Sequence, residues 1–236
     1  FMPERMSNNI IGDKYTNIIN TGIGHPSFQQ YGFNDSDVIS SITSKNSWIS
    51  TNALPGAVIF SNAVVTNNFV FLPVSLSSTN AISSSIYCAT IKANGTLNNW
   101  VNYYNSFPIR MGGGTYLAHK NYFYALSGYT GNNVIDKLIY YAPINSDGSL
   151  GSWTQTVNLP FPNIYFFAFT LKDKLYIVGG KNSNLVFNTI CYTTINNDGS
   201  LDPNWVIING LPMGMYMHKI VRIKNYLYLL GGFASD

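Results

Sequence analysis

Three histidines, two cysteines, three arginines and ten side-chain carboxylates are the groups of this 236-residue chain best able to do chemistry. His25, His119 and His218 stand at spacings with no metal-ligand logic. Each reads as a hydrogen-bonded or exposed imidazole, although His119 and His218 fall where first strands could face a central channel. Cys88 and Cys191 are 103 residues apart and read as small buried hydrophobes, which leaves the redox compartment open. Acid–base hydrolysis needs a carboxylate pair, yet the only glutamate is Glu4. Asp147 and Asp198 precede glycines as turn residues, and Asp173 sits in a second turn. Asp13, Asp35, Asp37, Asp136, Asp202 and Asp236 fall mostly in irregular or terminal stretches, and Asp35 with Asp37 lacks the spacing of an EF-hand loop. A three-arginine clamp for a carboxylate would consume every arginine, Arg5, Arg110 and Arg222, and Arg5 lies outside the repeats described below. The expectation is a non-catalytic chain without metal or cofactor.

Composition narrows the class further. Apolar residues make up 46% and aromatics 15%, but charged residues only 10%, against roughly 25% in an ordinary soluble domain. Polarity comes instead from amides and hydroxyls, with 30 asparagines. The net charge of +3 is spread out, so no basic patch suits a phosphate backbone and nucleic-acid binding is not expected. No apolar run reaches the roughly 18 residues of a spanning helix, and no basic-then-apolar start reads as a signal peptide. A chain opening on Phe1 is expected to be a fragment or processed product, part of a larger chain or assembly. Asn34 and Asn94 head glycosylation sequons, which so asparagine-rich a chain produces by chance.

Positioning elements emerge from self-similarity. Trp48, Trp100, Trp153 and Trp205 are separated by 52, 53 and 52 residues. Each is followed by an apolar-Pro pair: Leu54-Pro55, Phe107-Pro108, Leu159-Pro160 and Leu211-Pro212. Strand-like runs recur in phase at FVFLPV, YFYALSG, LYIVGG and YLYLLGG, and again at IYCATI, IYYAPI and ICYTTI. Asn94-Gly95, Asp147-Gly148 and Asp198-Gly199 then predict type I′ hairpin turns between third and fourth strands. Asn67-Asn68, Lys120-Asn121, Lys172-Asp173 and Lys224-Asn225 predict tight turns between first and second strands.

Each unit therefore reads as four short antiparallel strands. Runs such as LYIV and YLYLL are apolar on both faces, so both sides of each small sheet need covering. Radial stacking supplies that cover. The predicted fold is all-β: a β-propeller of four-stranded antiparallel blades, about 52 residues per blade. Units fall at 49–100, 101–153 and 154–205, with a partial unit at 206–236 that 37–48 could close; 1–36 is an N-terminal segment that could hold part of a blade. Four blades, five blades and a cut from a longer propeller all fit.

The Gly179-Gly180 and Gly231-Gly232 pairs, the tyrosine of IYYAPI and the DGSLGSW stretch resemble kelch-type blades of galactose-oxidase-like propellers over about 49–236, and more loosely over 37–48. The first copy departs with Pro73-Val74 at the diglycine position, and the second with Ser127-Gly128. The copper site of galactose oxidase, built from Tyr and His, finds no matching ligand set here. Nor does SDGSLGSW fit the Asp-box of sialidase propellers, since Asp147 precedes Trp153 by six positions and not five. So broad a family implies no single activity.

The two turn types share one end of each meander, while the longer, dissimilar 4–1 and 2–3 loops share the other. Variation on a rigid scaffold is where binding usually lives. Candidate ligand-binding residues there are Arg110, Tyr129, Asn132, Asn133, Phe161, Asn163, Tyr165, Lys181, Asn182, Asn184, Met213 and Tyr216: aromatics to stack on sugar rings and amides to meet hydroxyls. The expected function is a recognition module of a surface or extracellular assembly, such as an adhesin or phage tail fibre, binding a glycan or protein receptor at a cell surface or on a virion. The alternatives are an intracellular kelch adaptor that binds a protein, or an ancillary domain of a secreted carbohydrate-active enzyme.

Overall fold

The computed structural model describes residues 51–56, 58, 62–74, 83–103, 107–108, 112–130, 134–208, 210–223 and 226–234. The N-terminal segment 1–36 and the closing segment 37–48 lie outside the described residues.

Three complete meanders follow one another, and all described regular structure is strand. The first sheet runs β1 (Val64–Val65), β2 (Phe69–Pro73), β3 (Ile86–Thr90), β4 (Val101–Tyr103). The second is β5 (Thr115–His119), β6 (Tyr122–Leu126), β7 (Ile139–Pro143), β8 (Thr154–Gln155), and the third β9 (Phe167–Leu171), β10 (Lys174–Val178), β11 (Ile190–Thr194), β12 (Val206–Ile208). A fourth unit contributes the hairpin β14 (Lys219–Ile223) with β15 (Tyr226–Leu230), and a short pair, β13 (Met215–Tyr216) with β16 (Phe233–Ala234). All pairings are antiparallel between sequence neighbours, apart from β13 with β16. The fourth strand of each sheet begins directly after its tryptophan, so each blade straddles the written boundary between repeats.

First strands are innermost and adjoin from blade to blade. Asn62 clasps the Tyr116 backbone with both amide atoms, at 2.8 and 3.2 Å, and the Thr115 hydroxyl donates to the Phe166 carbonyl. Between the blades lie the cores, and β6 shows why its sequence does not alternate. Its Phe123 and Ala125 pack with Phe71, Ile86 and Cys88 of the first blade. Tyr124 and Leu126 point the other way, against Leu175, Ile177 and Cys191 of the third. A strand covered on both faces gains burial at every position. The two thiols sit in separate cores, free and buried, and burial pushes each up to about 12.

Tryptophan also ties blades together. The Trp100 indole N–H donates to the Asn52 carbonyl at 3.1 Å and that of Trp205 to Asn158 at 2.9 Å. Beside them Thr51 and Thr156 accept from the Leu97 and Leu201 amides.

One expectation needs correction. The 3–4 turns are not type I′. Only the glycines Gly95, Gly148 and Gly199 carry positive φ (81°, 84° and 85°), while Asn94, Asp147 and Asp198 do not. Each is a type I turn closed by a G1 bulge, because the Asx side chain accepts the amide two residues on and holds itself in the right-handed region. Among the described residues the cover of β15 is incomplete. YLYLL of β15 stays largely exposed, with Tyr226 at 69%, although it matches the buried LYIV of β10. Among the described residues its hairpin lacks third and fourth strands, so the core that a complete blade builds on its neighbours does not form around it.

Candidate interaction face

At the end of the molecule where 4–1 and 2–3 loops meet, the second, third and fourth units each join their two loops by a small antiparallel bridge. Gly112 pairs with Tyr129, Ile164 with Lys181, and Met215–Tyr216 with Phe233–Ala234, all at equivalent repeat positions. Diverse loops thus leave a common anchor. Behind the anchor lies the diglycine: a Cβ on Gly180 would fall 2.2 Å from Oδ1 of Asn163, so the close approach demands glycine there.

One residue past each anchor the backbone turns left-handed, at Gly113, Tyr165 and Met217 (φ 66°, 56° and 57°). Glycine takes this conformation freely, whereas tyrosine and methionine are strained by about 1–2 kcal/mol. Tyr165 is held there by its neighbours. The Met217 amide donates to its carbonyl at 2.8 Å, and its ring occupies the space that a side chain on Gly113 would need.

The result is a row of rings. Tyr129 and Tyr165 lie 6.4 Å apart centre to centre, Tyr165 and Tyr216 6.5 Å, and Tyr216 stacks on Phe233 at 5.3 Å. The Lys181 ammonium sits 4.8 Å over the Tyr216 ring, a cation–π contact. Burial, then the neighbouring Tyr129 and Tyr216, push the Tyr165 hydroxyl above its ordinary value. On the rim Phe161 packs against Phe187 at 4.4 Å. Asn182 uses its side-chain oxygen to accept the Asn184 and Leu185 amides, shaping the loop, while Asn184 itself is exposed.

Asn163 does not face a ligand and is corrected here. Fully buried, it donates from its side-chain nitrogen to the Gly179 carbonyl at 2.9 Å and lends its own carbonyl to the Ser127 hydroxyl at 2.6 Å. Its part is to bind the second blade to the third. Arg110, Asn132 and Asn133 lie outside the described residues.

Two apolar loop tips, Val134 and Leu185, escaped the sequence reading, whereas Met213 was among its candidates. Val134 and Leu185, at the tips of consecutive 2–3 loops, are 57% and 60% exposed, and Met213 on the adjoining 4–1 loop is 50% exposed. The signal was present: each tip is an aliphatic residue within an amide-rich run, GYTGNNVID and KNSNLVF. Among the described residues no three of His, Cys, Asp and Glu gather to hold a metal. His218 is only 2% exposed, and neither ring nitrogen has a partner. Burial, and then Lys219 beside it, push its imidazole down to about 4, which keeps it neutral.

No protein-family model matches the chain. Curated relatives include human kelch repeat and BTB domain-containing protein 12, 27% identical over 88 residues, which are 36% of this chain and 13% of that protein. Human kelch-like protein 41 is 23% identical over 51% of this chain and 20% of its own length; rat kelch-like protein 36 is 25% identical over 43% and 15%. The matched stretch thus spans a fifth or less of each relative. Four-stranded meanders in series, the diglycine after the second strand and these relatives agree: the repeats of this chain are kelch repeats, folded as blades of a β-propeller.

Proposed function

We propose that this chain is a non-catalytic interaction propeller that binds a protein through its loop face. The observation that carries the reading is the set of exposed aliphatic tips, Val134, Leu185 and Met213, presented on a rigid, stitched base. Exposed apolar patches rimmed by polar groups are a mark of protein interaction surfaces. The kelch relatives support a protein-binding adaptor over the adhesin or tail-fibre setting. Recognition of a glycan, in an extracellular, cell-surface or virion assembly, is the second reading. The ring row Tyr129–Tyr165–Tyr216 favours it, since sugar faces stack on aromatic rings.

Panning a random peptide library and probing a glycan array with the same purified chain separates the two. Peptides whose binding is lost in Leu185→Asp support the protein reading. Saturable binding of one sugar family, lost in Tyr165→Ala and retained in Leu185→Asp, overturns it.

A further inference from the structure

We propose that the partner segment received by the loop face is acidic as well as apolar: aliphatic or aromatic side chains meet Val134, Leu185 and Met213, and a carboxylate meets Lys181. The inference rests on the protein-binding reading above and adds the chemistry of the partner.

Charge placement carries it. Among the described residues of the loops at this end, the charged side chains are Asp136, Lys137 and Lys181. The one carboxylate is turned inward, its Oδ1 accepting the Leu138 amide at 3.0 Å and its Oδ2 buried without a partner. Both lysines are left to the outside. Lys137 is exposed, and Lys181 makes no ion pair with a described residue; it rests over Tyr216. At the turn end Lys120 pairs with Asp173 at 2.8 Å, while Lys174 rests over the Tyr192 ring.

Docking an uncharged or basic segment would strip water from Lys181 and leave a cation unpaired, a cost that selects against such partners. A carboxylate placed beside Lys181 removes that cost. The Tyr216 ring beneath the ammonium fixes the cation and shields one side from water, which strengthens the pair. The aliphatic tips supply what charge alone does not, an area from which water is expelled. An Asp or Glu within about two residues of an apolar anchor matches this layout, since an extended chain advances about 3.3 Å per residue.

The test pans a random dodecamer library on the full chain, then measures the enriched peptides by fluorescence polarisation against wild type, Leu185→Asp, Lys181→Met and Lys181→Arg, at low and high salt. Thermal melts confirm that each variant is folded. The expected peptides carry Asp or Glu beside an aliphatic or aromatic residue. They lose about tenfold in affinity in Lys181→Met, less than about threefold in Lys181→Arg, and weaken with salt. Peptides that need Leu185 but lack an acid, or ignore Lys181→Met, overturn the acidic partner and leave the protein-binding reading standing. If no enriched peptide depends on Leu185, the reading itself falls and the inference falls with it.

Discussion

The two ends of this propeller are made by the same four-stranded units, yet they treat polar groups in opposite ways. At the turn end the carboxylates are satisfied within the chain. The Ser149 hydroxyl and amide hold Asp147 below the usual carboxylate range, Ser200 does the same for Asp198, and Lys120 with His119 does so for Asp173. The turns repeat almost atom for atom, as in the pairs Asn145–Ser149 and Asn196–Ser200. At the loop end only the anchors repeat. Tips differ, aliphatic side chains stand in water, and Lys137 and Lys181 make no ion pair with a described residue. Self-satisfied groups serve the fold; unsatisfied ones are available to a partner. Changes at the turn end should therefore alter stability alone, and changes at the loop tips should alter binding alone.

The largest expected effect tests a buried exception at the loop end. His218 is neutral when folded because burial pushes its imidazole down to about 4, from the ordinary 6.5. Its contribution is full above about pH 6.5 and is lost as pH falls toward 4, where the unfolded chain takes up the proton first. That loss is at most about 3 kcal/mol. Denaturant titrations from pH 7.5 to 4 should show it, with a shallower slope in His218→Phe; parallel slopes would exclude His218 as the source.

Next comes the double change Leu185→Asp with Met213→Asp. Expected is a loss of about 2–3 kcal/mol in affinity for a panned peptide with an unchanged melting midpoint. A shift in the midpoint with affinity retained would make the tips structural. Gly199→Ala reverses the logic at the turn end. Its φ is 85° and a Cβ there would lie 2.7 Å from the Tyr122 ring, so about 2 kcal/mol of stability should go while affinity stays. The matched change Gly95→Ala meets no atom within 4 Å and should lose only the backbone term, about 1 kcal/mol. Smallest is Lys120→Met, which breaks an exposed pair with Asp173 and should change peptide affinity by less than about twofold. A larger effect would place binding at the wrong end.

Repeat, strand order and turn positions were legible because each rests on local chemistry kept in phase: tryptophan, Asx-Gly and apolar runs. The identity of the 3–4 turn was not. Asn-Gly and Asp-Gly serve type I′ and G1-bulged turns alike, and only the side-chain bond from Asp147 or Asp198 to the amide two residues on decides between them. Cover of β15 is a matter of its neighbours. YLYLL and LYIV read alike, but whether such a strand is covered depends on a neighbouring sheet and not on the strand. In the candidate site, loop diversity singled out Tyr129, Tyr165, Lys181 and Tyr216, which the structure gathers into one row. Asn163 failed because an amide beside a diglycine can serve the backbone as readily as a ligand. The aliphatic tips were passed over because an isolated Val or Leu in a polar loop reads as a core residue until its exposure is seen.

Hydrogen exchange of the chain with and without a saturating panned peptide separates the two ends. Slowed exchange is expected in 127–130, 134–138, 179–189 and 210–217, with no change at the turns 92–96, 145–149 and 196–200. Protection concentrated on those turns, with the loops unaffected, would contradict binding at the loop end.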